Sequence, residues 1–188
     1  MARILTPRRI VAATALAASL VLAPTPVHAQ GGSLERGVKA AFLYKFAGYV
    51  SWPDSLFPTD DTPVRIGITD DEPLADELRR MVATRTSGGR HVEVVSIPPE
   101  EIPHGVHIAF RARGTPEAVK DWIVEARKEP ILIVTETPGA LRMGSMLNFV
   151  DRDGRIRFEV GLGAAKTSGI TLSSRLLSVA FAVETRSP

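Results

Sequence analysis

Two hydrophobic periods divide the chain. Between residues 64 and 135, short apolar runs alternate with amphipathic stretches of helical spacing. Residues 64–69 (VRIGIT), 92–97, 106–110 and 131–135 (ILIVT) read as strands, the last apolar on both faces as in the centre of a parallel sheet. Residues 72–82 read as a helix with Pro73 in its first turn, and Thr115-Pro116-Glu117 opens a second helix running to about Lys128. Ser87-Gly88-Gly89 marks a turn, and Pro98, Pro99 and Pro103 enforce a loop. Strand alternating with helix predicts a largely parallel sheet covered by helices.

The last third switches to period two. Residues 145–160 predict a hairpin about Asp153-Gly154, a strong two-residue turn signal. Setting Arg152 opposite Arg155 places Leu147, Phe149, Ile156, Phe158 and Val160 on one face. The other face then carries Asn148 opposite Glu159 and Val150 opposite Arg157; a slip of one residue would bury the charges, so this register is firmly specified. A short helical turn over 163–168 ends at Gly169, and a C-terminal helix is predicted over 173–183, capped by Ser173 or Ser174. Ahead of the first strand, residues 34–49 predict a helix with Ser33 as N-cap and Leu34, Val38, Ala41, Phe42 and Tyr49 near one face; Trp52-Pro53 stops it. The expected fold is thus α/β: a single domain with a mostly parallel central sheet flanked by helices, followed by a C-terminal β-hairpin and helix.

The N-terminus changes the compartment. Arg3, Arg8 and Arg9 precede an apolar run over residues 10–22, Pro24 and Pro26 break it, and Val27-His28-Ala29 supplies a small-residue cleavage site. That is the layout of a secretory signal peptide over residues 1–29, leaving residues 30–188 as the mature domain. The apolar run is shorter than the roughly 20 residues a spanning helix needs. The leader takes three of the 23 Lys and Arg and none of the 21 Asp and Glu, so the mature net charge is −1 and the basic isoelectric point of the full chain disappears. Nucleic acid is not an expected partner. The chain has no cysteine, which removes disulfides, thiolate zinc sites and Cys nucleophiles.

Several motifs approach known chemistry and miss it. Gly161-Leu162-Gly163-Ala164-Ala165-Lys166-Thr167 sits like a phosphate loop but lacks glycine before the lysine and five residues earlier. Asp151 to Gly154 lacks the third Asp and the twelfth-position Glu of a calcium loop. Asp70-Asp71-Glu72 follows the first strand as in a phospho-receiver, yet no acceptor Asp follows residues 106–110; an acidic first helical turn explains it. His104 and His107 have no carboxylate cluster after them and read as surface histidines. Ser145 and Ser174 lie in no nucleophile elbow. No catalytic constellation, metal or cofactor is expected.

Three stretches, in order and spacing, carry a resemblance. They are 38–46 (VKAAFLYKF) with 50–53 (VSWP), 144–150 (GSMLNFV) with 154–160 (GRIRFEV), and 164–166 (AAK) with 172–177 (LSSRLL). In these the mature chain resembles the YfiR family of periplasmic proteins. The resemblance implies an exported, non-enzymatic regulator that binds the periplasmic sensor domain of an inner-membrane diguanylate cyclase, or of a sensor kinase, and holds it inactive. Cyclic di-GMP and biofilm formation would fall as a result. Relatives that tie activity to periplasmic redox state do so through cysteines; this chain has none, so that control is not carried over.

Two functional readings follow. The first is the regulator just described, acting alone or as a homodimer. The alternative is a periplasmic small-ligand-binding or enzymatic α/β domain, with a crevice at the carboxyl ends of its strands. Six of the eleven aromatics lie between Phe42 and Phe57. Tyr44, Phe46, Tyr49 and Trp52 either plug the core or line a partner surface. Arg157, Glu159 and Arg175 are charges within apolar segments that either line such a crevice or form an ordinary surface patch. Together with Asn148, residues Tyr49, Trp52, Arg157, Glu159 and Arg175 are the candidate partner or ligand contacts.

Overall fold

The computed structural model describes residues 28–185, so the expected leader over 1–29 falls outside it except for its last two residues. The chain opens with helix α1 (His28–Tyr49) and then β1 (Val50–Ser51), a 3-10 turn at Asp54–Leu56, β2 (Val64–Thr69) and α2 (Glu72–Val82). Next come β3 (Thr86–Ser87), β4 (Arg90–Ile97), β5 (Ile108–Arg111), α3 (Pro116–Ala126), β6 (Leu132–Thr135) and α4 (Ala140–Met143). The hairpin β7 (Leu147–Arg152) and β8 (Arg155–Gly161) leads to α5 (Leu162–Thr167), β9 (Thr171–Leu172), α6 (Ser174–Val179) and β10 (Ala182–Glu184). None of the described helices is long and apolar enough to cross a membrane.

Eight strands form one sheet in the order β10-β8-β7-β6-β5-β2-β4-β3. Strands β4, β2, β5, β6 and β7 are mutually parallel, the 2-1-3-4-5 order of a doubly wound sheet. Reversal of direction between β2 and β5 puts α1 and α2 together on one face and α3 and α4 on the other. The β4-to-β5 connection carries no helix, as its three prolines require. The mixed α/β domain expected from the sequence is the one observed.

Local chemistry accounts for the helix starts. Asp71 caps α2 by accepting from the Leu74 N–H at 3.2 Å, and Thr115 caps α3 by accepting from the Ala118 N–H at 3.3 Å. The hairpin register is the one read from the sequence: Arg152 pairs with Arg155, Phe149 with Phe158 and Asn148 with Glu159. Asp153 and Gly154 take positive φ of 55° and 71°, as a twist-matched two-residue turn demands, and Asp151 accepts from the Gly154 N–H at 2.9 Å. Gly161 has a different reason: a Cβ there would lie 2.7 Å from the Ser145 carbonyl, so only glycine lets β8 pass this close. The glycine that suggested a phosphate loop is a packing residue, and Lys166 is exposed.

Three expectations need correction. Helix α1 begins at His28, so Ser33 lies inside it and is not the N-cap. Its buried face holds Ala40, Leu43, Phe46 and Ala47, with Phe42 partly buried, while Leu34 is 72% exposed. Charged and apolar residues are scattered around this helix, with Glu35, Arg36, Lys39 and Lys45 on several sides, so period alone could not fix the face; the phenylalanines of the hairpin do. Third, the expected helix over 173–183 is split. Ser173 caps α6 by accepting from the Leu176 N–H at 3.3 Å, Ala180 is extended, and β10 lies parallel to β8. The segment Val179-Ala180-Phe181-Ala182-Val183 has period two, and the free edge of β8 supplies backbone partners, beginning with Phe181 N–H to the Phe158 carbonyl at 2.8 Å. The two-residue strands and α4 were too short to show in a periodicity.

Phe158 is buried against Phe42 and Phe46 at centroid distances of 5.3 and 5.1 Å, whereas Arg157 beside it is exposed. Phe158→Ala is expected to cost about 3–5 kcal/mol. Arg157→Ala is expected to change stability by less than about 0.5 kcal/mol. Urea unfolding of the two variants checks the pair, and reversal of the order would mean the register is off by one.

Candidate functional site

One polar row crosses five strands, formed by the last residues of β2, β5 and β6 and continued by the second residue of β7 and by β8 beside it. Thr69 pairs with Arg111, Arg111 with Thr135, Thr135 with Asn148 and Asn148 with Glu159. In-register neighbours point to the same side of a sheet, and Arg111 lies over Trp122 of α3, so the row faces α3 and α4. Its first four members are buried. Such a row in a dry setting needs internal partners. Thr135 Oγ1 is 2.8 Å from Ser145 Oγ and 2.9 Å from Asn148 Oδ1, and its single proton serves one of them at a time. Ser145 donates to the Leu147 carbonyl at 2.8 Å, and the Thr137 N–H donates to Asn148 Oδ1 at 3.0 Å. Arg111 donates from Nε to the Arg113 carbonyl at 3.0 Å; burial holds its pKa below the ordinary value, partly offset by nearby Asp70. Thr69 Oγ1 and Trp122 Nε1 are buried without hydrogen-bond partners among the described residues.

On the other face of the same edge, Lys39 of α1 is buried between two carboxylates. Its Nζ lies 2.5 Å from Glu35, one helical turn earlier, and 2.6 Å from Glu136, just past β6. Burial alone would lower the ammonium pKa, but hydrogen bonds to Glu136 and then Glu35 outweigh it and hold it above its ordinary value. Glu136 borders two crevices. One, of about 440 Å³, opens toward Asn148, Arg152, Glu159, Arg142 and Glu184. The other, of about 420 Å³, lies toward Lys39, Glu35, Arg36, Asp71 and Arg113, near the β2/β5 switch point. Both mix carboxylates with guanidinium groups, a lining suited to polar ligands or peptide rather than to apolar ones. Among the described residues no group of three or more His, Asp and Glu could hold a metal ion.

The structure divides the sequence candidates. Asn148 and Glu159 lie together at the carboxyl edge, with Glu159 3.6 Å from Arg152. Arg157 is exposed on the hairpin beside Leu34 and Val38 of α1. Tyr49 and Trp52 lie at the opposite end of the sheet: the Tyr49 carbonyl accepts from the Ser173 N–H at 2.9 Å, and Trp52 Nε1 donates to the His107 carbonyl at 3.1 Å. Arg175 is exposed on α6, next to the Tyr49 anchor and away from both crevices. Phe46 is in the core, and Tyr44 donates to the Thr86 carbonyl at 2.8 Å. Sequence reasoning missed Lys39, Glu136, Arg111 and the threonines of the row, which become neighbours only through strand order and register.

The two histidines were read as surface residues, and this holds for His104 alone. His107 is 5% exposed, stacked on Phe57 at 4.5 Å with Trp52 edge-on, and its Nδ1 accepts from the Arg65 N–H at 3.0 Å. The imidazole is therefore neutral, with its proton on Nε2. Burial holds its pKa below 6.5; the Leu56 backbone opposes the shift, and the charges of Arg65 and Arg90 add to it. The unfolded chain takes up the proton first, so stability should fall as pH drops below about 6.5 and stop changing once the folded-state group also titrates. His107→Asn keeps an acceptor and cannot titrate. Urea melts from pH 8 to pH 5 should show the wild type losing more stability than this variant; parallel curves would exclude the effect.

Comparison with known proteins adds the family. No curated protein sequence matches the chain. A solved structure described as a conserved domain protein from Vibrio cholerae O1 biovar El Tor str. N16961 shares the fold with a TM-score of 0.50 and 12% identity over 70% of this chain. The alignment spans 57% of that structure's own chain. The YfiR/HmsC-like family model matches residues 36–181, from the third turn of α1 to the residue before β10. On that match, which takes in the aromatic helix, the polar row and the hairpin, the chain belongs to the YfiR/HmsC-like family.

Proposed function

We propose that this protein is a periplasmic, non-enzymatic regulator that binds the sensor domain of an inner-membrane signalling protein, a diguanylate cyclase in the first instance, and represses it. The observation that carries the reading is the family match over residues 36–181. One other supports it: the leader pattern of residues 1–29 would export the chain. Repression works by differential affinity: the protein binds the inactive state of the sensor domain more tightly and shifts its population. A 100-fold shift needs about 2.7 kcal/mol of differential binding.

A second reading is favoured by the paired crevices at the strand carboxyl ends. In it a small polar ligand occupies one of them, as a doubly wound sheet disposes it to do. A metabolite that raises the melting temperature, and does so less after Asn148→Ala, would support that reading.

Deletion of the gene is expected to raise cellular cyclic di-GMP, and the wild-type gene in trans to lower it again. An unchanged level in cells that express the protein would overturn the repressor reading. The exported protein is expected to begin at Gln30, and intact-mass analysis of a periplasmic fraction that found Met1 would overturn the compartment.

A further inference from the structure

One nearly buried polar side chain of the described residues is only half used. Asn148 is 1% exposed, and its Oδ1 accepts from the Thr137 N–H at 3.0 Å with the Thr135 hydroxyl 2.9 Å away. A backbone N–H can only donate, so the atom it meets is the amide oxygen and the other is the NH2 group. That NH2 donates to no described residue, and it is not sealed away from solvent. It lies on the floor of the crevice of about 440 Å³, within the roughly 300–1,000 Å³ common for small-molecule sites. The other carboxyl-edge crevice has no counterpart, because its nearly buried charge, Lys39, is paired on both sides.

The surroundings of the amide select a ligand class. Glu159 is its in-register neighbour on β8, so the two side chains leave the sheet side by side on one face. Glu136 stands in the chain between Thr135 and Thr137, the two residues that hold the amide oxygen, and it borders the same crevice. Each carboxylate has a cationic neighbour, Lys39 at 2.6 Å from Glu136 and Arg152 at 3.6 Å from Glu159, yet each has lone pairs to spare. The floor is thus an N–H donor flanked by acceptors. A carboxylate or phosphate could accept from the amide but would be repelled by Glu136 and Glu159. An ammonium group would suit those carboxylates but meets the amide donor to donor. A hydroxyl accepts and donates at once. At the rim the pattern repeats: Arg142 and Glu184 are exposed, and neither has an ion-pair partner among the described residues.

We infer that this crevice binds a neutral polyhydroxylated molecule, a small saccharide, one hydroxyl of which accepts from the Asn148 NH2 and donates to Glu159. This rests on the second, ligand-binding reading above, to which it adds a place and a chemical class; the repressor reading is not needed for it.

Titrations of the full purified chain followed by 1H–15N spectra test this. The probes are D-glucose, D-galactose, D-mannose, N-acetyl-D-glucosamine and maltose, with L-alanine, L-glutamate, citrate and putrescine as charged comparators. At least one sugar is expected to shift the Asn148 side-chain amide signals saturably, and no comparator should. Asn148→Ala and Glu159→Ala should each weaken that binding about tenfold or more, as loss of a buried hydrogen bond to a ligand does. If Asn148→Ala fails to fold, Glu159→Ala decides alone. Arg36→Ala, which alters only the other crevice, should leave the affinity unchanged. A comparator that shifts these signals while every sugar is silent overturns the saccharide and leaves a ligand in the crevice. Silence from all the probes overturns the saccharide as well, and the melting-temperature screen described above then decides separately whether any ligand binds. A sugar whose affinity falls with Arg36→Ala but not with Glu159→Ala overturns the place.

Discussion

The seating of α1 on the sheet is the interaction on which the rest of the structure depends. Phe42 and Phe46, one turn apart, meet Phe149 and Phe158 at centroid distances between 5.1 and 6.0 Å, and Phe110 extends the cluster from β5. Tilted and edge-on aromatic contacts of this kind favour particular geometries beyond area burial alone. They fix both the rotation and the height of a helix whose charged and apolar residues are otherwise scattered around it. That height sets Lys39 against Glu136 at the carboxyl edge of the sheet and brings the Tyr49 carbonyl to the Ser173 N–H at the other end. One hydrophobic contact thus positions charges and backbone partners at both ends of the domain.

Lys39 has a second role that follows from its burial. A nearly buried ammonium between two carboxylates contributes little net stability, because desolvation offsets most of the attraction. Loss of either carboxylate, however, leaves charge in a poorly solvated place. The triad therefore specifies where α1 sits along its axis more than it strengthens the fold. It also joins the two crevices. Glu136 borders both, so anything that draws this carboxylate toward Asn148 and Arg152 must compete with its pairing to Lys39.

The sequence told most where side-chain period and turn chemistry agreed. The hairpin register was legible because Asp153-Gly154 fixed the loop and because an error of one residue would have buried Arg157 and Glu159. Helix α2 was legible from Asp71 and Pro73 at one end and the apolar stripe to Val82. Where two periods overlapped, the reading failed: the stretch from Val179 to Val183 fits both a helix and a strand, and only the vacant edge of β8 decides. The burial of His107 was hidden because its partners, Trp52, Phe57 and the Arg65 backbone, are distant in sequence. Of the carboxyl-edge row, the sequence yielded Asn148 and Glu159, which share one hairpin. Thr69, Arg111 and Thr135 join them only through the order in which four separate strands pair.

The absence of cysteine sharpens what the core must do. A domain with disulfides can tolerate a loosely held element, because a cross-link limits how far it departs. Here the N-terminal helix is retained by non-covalent contacts alone, so its departure is limited by the same free energy that packs the phenylalanines. The two features that tie α1 to the sheet respond to different conditions: aromatic packing is insensitive to ionic strength, whereas the Lys39 pairs, whose Glu35 and Glu136 partners are 46% and 27% exposed, are weakened by salt. The small sheet of β1 and β9 adds backbone pairing where the helix ends, with Val50 opposite Leu172. Without thiols, constraint on this helix is distributed over separate contacts, from the Glu35 and Lys39 ion pairs through Phe42 and Phe46 to the Tyr49 carbonyl.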